Sequence, residues 1–146
     1  LSEKEILSRV SWDSYKGAVQ ELAEKIRASV SGKMTDKYRC IYGIPRGGMI
    51  PAVMISHILG IPVITDVSFP DKYVLIVDDI AHSGNTIEYY RHWDEVMDIA
   101  TVYVRKSCRF MPNFFGDMVH HNRWMVFPYE VESKELMCAE ADRKKV

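Results

Sequence analysis

From Ser11 the apolar positions Tyr15, Val19, Leu22 and Ile26 recur at helical spacing, with Lys16, Glu21, Glu24 and Lys25 turned outward. This predicts a helix capped by Ser11, with Asp13 in its dipole-favoured first turn and Ser31-Gly32 as its stop. Tyr38–Ile44 has the composition of a strand and runs into Pro45-Arg46-Gly47-Gly48. Met49–Leu59 is almost wholly apolar and reads as a buried helix, with Pro51 tolerable in the first turn and Gly60 as the terminator. Pro62–Thr65 is a short strand. Val74–Val77 is an unbroken apolar run too short for a helix, as in a strand covered on both faces. A helix from about Thr86 to Trp93, a strand Ile99–Arg105, a strand Trp124–Phe127 and a charged surface helix Glu132–Lys145 complete the pattern. Strands alternating with helices predict an α/β fold, a mostly parallel twisted sheet flanked by helices.

The central run carries the chemistry. Val74–Val77 ends in two adjacent carboxylates, Asp78 and Asp79, followed by Ser83, Gly84, Asn85 and Thr86 before the pattern turns helical. A strand, a small-residue loop and a helix N-terminus make an anion site, because backbone N–H groups and the helix dipole both face the loop. The carboxylates repel phosphate but accept hydrogen bonds from sugar hydroxyls or hold a metal. Phosphate beside ribose is the ligand this pattern suggests. The bland reading, acids that merely cap a strand, explains less, since paired acids flush against an apolar strand are unusual in an ordinary loop.

Length and composition fit one domain spanning 1–146, with 47% apolar and 27% charged residues. The net charge of −1 makes no electrostatic case for nucleic acid or membrane binding. No apolar run approaches the roughly 20 residues of a membrane span, and no signal peptide is visible. The start at Leu1 rather than Met reads as a trimmed chain. Cys40, Cys108 and Cys138 are widely spaced, which suggests reduced thiols and a cytoplasmic setting. His120-His121 and the other histidines show no zinc spacing. In parallel sheets ligands collect beyond the carboxyl ends of the strands. Arg46, Asp78–Thr86, Lys106 and Trp124-Met125 all fall at or just past predicted strand ends, so one cleft is expected to hold them.

Val74–Thr86 resembles the phosphoribosyl pyrophosphate signature of the type I phosphoribosyltransferases, an apolar run, two acids and a Ser/Thr-Gly phosphate loop. Within that family the likeness is to the bacterial xanthine-guanine branch, through Ser2-Glu3-Lys4, Val10–Asp13, Arg46-Gly47-Gly48, Lys106 and Trp124. The resemblance implies a type I phosphoribosyltransferase fold and transfer of 5-phosphoribosyl from phosphoribosyl pyrophosphate to a 6-oxopurine, with Mg²⁺, in a homodimer or homotetramer. It implies that Ser83, Gly84, Asn85 and Thr86, with backbone from His82 onward, wrap the 5′-phosphate. Asp78 and Asp79 would hold the ribose hydroxyls or the magnesium ion. Arg46 and Gly47 would meet the pyrophosphate, in a loop that in the family often contains a strained or cis peptide. Lys106 would donate to the 6-oxo group, Trp124 would stack on the base and the Met125 backbone would read its edge. These roles suit the chemistry: magnesium takes oxygen ligands, a guanidinium pairs with phosphate oxygens, and an aromatic face suits a flat heterocycle. Lys106 and Trp124 also read as a solvated lysine and a core tryptophan, and Glu130 is better taken as a surface carboxylate than a metal ligand.

Two departures from the family matter. His82 stands where 6-oxopurine enzymes carry an Asp, the acid/base partner of the purine, and a histidine also transfers protons. Only Asp66–Asp71 separates Thr65 from the central strand, where the family carries a long mobile lid. The alternatives are a nucleotide-binding or regulatory protein with little turnover, motivated by both departures, and a transferase for another base such as adenine.

Overall fold

The computed structural model describes residues 6–67, 71–93 and 97–130. By backbone contacts the chain forms two compact units, a larger one over 16–121 and a smaller one that combines 1–15 with 122–146. The expected helix Glu132–Lys145 lies outside the described residues. Among the described residues no helix is long and apolar enough to cross a membrane.

The larger unit is built on a five-stranded sheet, parallel throughout, of β2 (Cys40–Gly43), β3 (Val63–Ile64), β4 (Val74–Ala81), β5 (Asp98–Arg105) and β6 (Phe114–Val119) in the order β3-β2-β4-β5-β6. The central strand β4 runs through Asp78 and Asp79 to Ala81, where the sequence suggested that the acids end it. Each acid spends a carboxylate oxygen on the next backbone N–H, Asp78 Oδ1 on Asp79 at 2.9 Å and Asp79 Oδ1 on Ile80 at 2.7 Å. The carboxylates therefore serve the strand they were expected to stop. Strand β6, whose Gly116 and Asp117 are residue types poor in strands, was not foreseen. Gly116 is what lets the helix α1 (Trp12–Ala28) press on the sheet: a β-carbon there would lie 2.3 Å from the Ala18 carbonyl oxygen.

The α1 helix is capped by Ser11 Oγ, which accepts the Ser14 N–H at 3.1 Å, and it buries Tyr15, Val19, Leu22 and Ile26 completely. A single turn, α2 (Met34–Lys37), follows. α3 (Met49–Leu59) has the bounds its apolar run predicts and ends at Gly60 in the left-handed region, φ 71°. α4 (Asn85–Trp93) follows the loop at Ser83-Gly84, and its Ile87 joins Val74, Ile76, Met97 and Ile99 in the core. In the smaller unit β1 (Leu7–Arg9) pairs in parallel with β7 (Trp124–Val126), so this last strand is not part of the main sheet. Tyr15, Phe127, Tyr129 and Trp12 form an aromatic cluster beside it.

Candidate active site

The strand order reverses between β2 and β4. From β2 the chain goes outward to β3 on one side, and from β4 it goes outward through β5 to β6 on the other. The loops that leave the carboxyl ends of β2 and β4 therefore diverge, and a crevice opens between them.

The loop after β2 forms one wall. The Ile44 N–H donates to the Val77 carbonyl at 2.8 Å and the Gly48 N–H to the Ile44 carbonyl at 2.9 Å, which folds Pro45-Arg46-Gly47 into a tight turn beside β4. The Pro45–Arg46 peptide is cis, the feature that the resemblance implied for this loop. Arg46 is exposed and Gly47 is half-buried. Two glycines let the loop approach β4 closely, Gly48 against backbone and Gly47 against a side chain. A β-carbon on Gly48 would lie 2.4 Å from the Val77 carbonyl oxygen, and one on Gly47 would lie 2.1 Å from Asp79 Oδ2. The Asp79 carboxylate thus rests against the Arg46-Gly47 backbone. Asp78 is also half-buried, near Tyr90 of α4. Burial first, then a hydrogen bond with Tyr42 and the charge of Asp78, push the Tyr90 hydroxyl up to about 12.

The loop after β4 forms the other wall. Gly84 takes φ 92°, a conformation that L side chains rarely adopt, and its carbonyl accepts the Glu88 N–H at 2.9 Å to start α4. The Asn85 N–H is capped by Ser83 Oγ at 3.3 Å. Ser83, Asn85 and Thr86 are exposed around a helix N-terminus whose first N–H groups have no intrahelical acceptor. A segment that the sequence reading missed braces this loop: the Arg109 N–H donates to the Ser83 carbonyl at 2.9 Å, and a β-carbon on Gly84 would lie 2.6 Å from the Phe110 nitrogen.

His82 lies between the two acids and the Ser83–Thr86 segment. Its Nδ1 accepts from Arg105 Nε at 2.8 Å, and Arg105 Nη1 donates to the His121 carbonyl at 2.8 Å. Burial lowers the Arg105 pKa. Sequence reasoning passed over Arg105 because it is distant in the chain, yet the pairing of Ala81 with Val104 makes it the strand neighbour of His82. Lys106 follows directly, exposed, with its N–H on the Val119 carbonyl at 3.0 Å.

Arg46, Gly47, Asp78, Asp79, His82, Ser83, Gly84, Asn85, Thr86 and Lys106 all lie at the loop ends of the larger unit. Trp124 and Met125 do not. They sit within β7 of the smaller unit, opposite Leu7 and Ser8, and so are not past the end of a main-sheet strand as the sequence suggested. Glu130 Oε1 accepts the Phe127 N–H at 3.2 Å, also in the smaller unit. Among the described residues no three His, Cys, Asp or Glu side chains converge on a common metal position. Two adjacent carboxylates fit a magnesium ion that keeps water and takes further oxygens from a phosphorylated substrate, and they do not form an all-protein cage.

The chain is 28% identical over 145 residues to a xanthine-guanine phosphoribosyltransferase of Cereibacter sphaeroides, a match that covers 84% of this chain and 86% of the relative. The crystal structure of a purine phosphoribosyltransferase from Pyrococcus horikoshii superposes with a TM-score of 0.68 at 29% identity, covering 87% of this chain and 96% of that one. The chain has a type I phosphoribosyltransferase fold and is similar in sequence to xanthine-guanine phosphoribosyltransferases. The fold extends to more distant sequences: a xanthine-guanine-hypoxanthine phosphoribosyltransferase of Helicobacter pylori superposes with a TM-score of 0.66 at 16% identity, covering 92% of this chain and 99% of that one. No family model matches the sequence. The alignment to the Cereibacter relative runs to 145 positions while using 84% of the 146 residues here, so that relative has positions without a counterpart in this chain.

Proposed function

We propose that this chain transfers the 5-phosphoribosyl group of phosphoribosyl pyrophosphate to a 6-oxopurine, giving a nucleoside monophosphate and pyrophosphate. The observation that carries this reading is the seating of Asp79 against Gly47 in the crevice where β2 and β4 diverge, three residues before the phosphate loop. One crevice thereby offers backbone and guanidinium for a diphosphate, carboxylates for ribose hydroxyls, and a helix N-terminus for the 5′-phosphate. The curated relatives that bear the name xanthine-guanine phosphoribosyltransferase support guanine or xanthine as the acceptor.

In the reaction the bond from the anomeric carbon to the pyrophosphate oxygen breaks, the bond to purine N9 forms, and the N9 proton is released. Ser83–Thr86 anchor the phosphate and Asp78 and Asp79 fix the ribose, so the anomeric carbon is presented in one orientation. Arg46 stabilises the charge that develops on the departing pyrophosphate. Asp78 and Asp79 would hold a magnesium ion, which would neutralise diphosphate charge when bound. Lys106 donates to the 6-oxo group.

Assembly as a homodimer or homotetramer is part of the proposal, supported by the exposed Met49, Ile50, Val53 and Ile58 along α3. So is a cytoplasmic setting, in keeping with the free thiols of Cys40 and Cys108. The short Asp66–Asp71 connection favours, as a second reading, a nucleotide-binding regulator with little turnover. The test is pyrophosphate release from phosphoribosyl pyrophosphate with Mg²⁺ and each of guanine, xanthine, hypoxanthine and adenine. Release with the 6-oxopurines, and adenine at least about a hundredfold poorer, is expected, because a site built to donate rejects a donor. Preference for adenine would overturn the base assignment. Nucleotide binding without release from any base would favour the regulator.

A further inference from the structure

We infer that Arg109, from the loop after β5, completes the 5′-phosphate site by supplying the cation that the Ser83–Thr86 segment lacks. The inference deepens the transfer reading above and rests on it for the position of the phosphate.

A phosphate monoester carries about 1.5 to 2 negative charges at pH 7. Ser83, Gly84, Asn85 and Thr86 offer it hydroxyls, an amide and backbone N–H groups, all of them neutral. The first charged side chain of α4 is an acid, Glu88. The helix dipole adds only about half a positive charge, and solvent screens it. The segment therefore needs a cation from elsewhere in the chain. Arg91, the first cation of α4, donates to Asn113 Oδ1 at 3.3 Å. Arg105 is half-buried and donates to His82 Nδ1 and to the His121 carbonyl, both at 2.8 Å. Lys106 is assigned to the base. Arg109 remains. It is exposed, and among the described residues its guanidinium meets the Phe110 ring and no carboxylate.

The backbone brings Arg109 to the segment. Its N–H donates to the Ser83 carbonyl at 2.9 Å. The next residue, Phe110, is seated on Gly84, where a β-carbon would lie 2.6 Å from the Phe110 nitrogen and 2.8 Å from its Cβ. The Arg109 guanidinium lies over the Phe110 ring, with Cζ 5.3 Å from the centroid. The side chain is thus folded along the residue that covers Gly84, which lowers the entropy cost of ordering it around a ligand. A guanidinium held by its face keeps its in-plane N–H groups for two oxygens of one phosphate. Backbone N–H groups of the segment would meet the other oxygen.

The test is the set of dissociation constants of ribose 5-phosphate, GMP and guanosine for wild type, Arg109→Gln and Arg109→Lys. Ribose 5-phosphate engages the phosphate and ribose positions alone, GMP adds the base, and guanosine leaves out the phosphate. Arg109→Gln is expected to weaken ribose 5-phosphate and GMP by the same factor, about tenfold, as for one hydrogen bond between charged groups. Guanosine binding and the melting temperature should not change. Arg109→Lys, which keeps the charge and loses the fork, should recover most of the loss. The KM for phosphoribosyl pyrophosphate should rise by the same factor in Arg109→Gln, with that for guanine unchanged. Unaltered affinity of Arg109→Gln for ribose 5-phosphate would overturn the inference. Equal weakening of guanosine would also overturn it, because it would show a disturbed loop and not a lost cation. If ribose 5-phosphate binding depends on Arg109 while GMP binds no tighter than ribose 5-phosphate, the transfer reading fails and the assignment of Arg109 stands. A wild-type protein that binds neither compound would overturn both.

Discussion

Asp79 and Gly47 are in contact across the crevice between β2 and β4, with Oδ2 of the carboxylate 2.1 Å from where a β-carbon on Gly47 would stand. The contact joins the loop assigned to pyrophosphate to the strand assigned to ribose. Gly47→Ala should displace a side-chain terminus, and it is expected to lower kcat/KM about a hundredfold, the effect of misplacing reacting groups by about 1 Å. Its melting temperature should stay close to wild type. Gly48→Ala meets backbone instead, the Val77 carbonyl at 2.4 Å, and should cost about 1–3 kcal/mol of stability. Thermal unfolding of the two variants together with their kinetics checks this. Equal stability losses would contradict it.

Asp78→Asn and Asp79→Asn each keep the Oδ1 that accepts the next backbone N–H, so strand β4 should survive. The negative charge is lost. Transfer is expected to fall by about two to three orders of magnitude, the size of effect seen when one preorganised electrostatic group is removed, with unfolding little changed. Unfolding at a much lower temperature would assign both acids to structure alone.

Much of the larger unit was legible because its elements carry local signals. The apolar run and Gly60 mark α3, and the spacing of Tyr15, Val19, Leu22 and Ile26 marks α1. The turn into α4 was legible too, since Ser83, Gly84, Asn85 and Thr86 mark a small-residue loop before a helix start. What was missed depends on distant partners. Three-residue β1 exists as a strand through its pairing with β7, far along the chain. Strand β6 was missed, since nothing near Gly116 in the sequence reveals that α1 needs the space. Arg105 looked like an ordinary strand-end cation until the register set it beside His82.

Tyr38 is completely buried, and its hydroxyl donates to Asp98. Burial first, then the hydrogen bond and the charge of Asp98, raise its pKa far above the ordinary value. Above pH about 10 the unfolded chain loses tyrosine protons that the folded chain retains, so stability falls as pH rises. Tyr90 and Tyr103, both pushed up to about 12 with burial as the main cause, add to the same slope. The Tyr38 contribution is full below pH about 10 and is lost on the way up to its folded pKa. Tyr38→Phe should therefore be less stable than wild type at pH 8, by about 1–2 kcal/mol, and the difference should shrink by pH 11. Denaturant unfolding at the two pH values checks the sign.

Nine residues, 65–73, connect β3 to β4 and span at most about 30 Å fully extended. A connection of this length reaches out and back by no more than about 15 Å, and an oxocarbenium-like centre left uncovered meets water. Phosphoribosyl pyrophosphate is therefore expected to hydrolyse to ribose 5-phosphate alongside transfer, at a measurable fraction of turnover. Fast transfer with no hydrolysis would show that another segment or a neighbouring subunit supplies the cover.

The central claim is tested most directly by following phosphoribosyl pyrophosphate, Mg²⁺ and guanine with the purified protein by ³¹P NMR. The expected result is loss of the substrate's signals with GMP and pyrophosphate both appearing, any excess of pyrophosphate over GMP being matched by ribose 5-phosphate, and no GMP from the Asp78→Asn/Asp79→Asn double variant. Unchanged substrate, or ribose 5-phosphate without any GMP, would contradict phosphoribosyl transfer to a 6-oxopurine at this site.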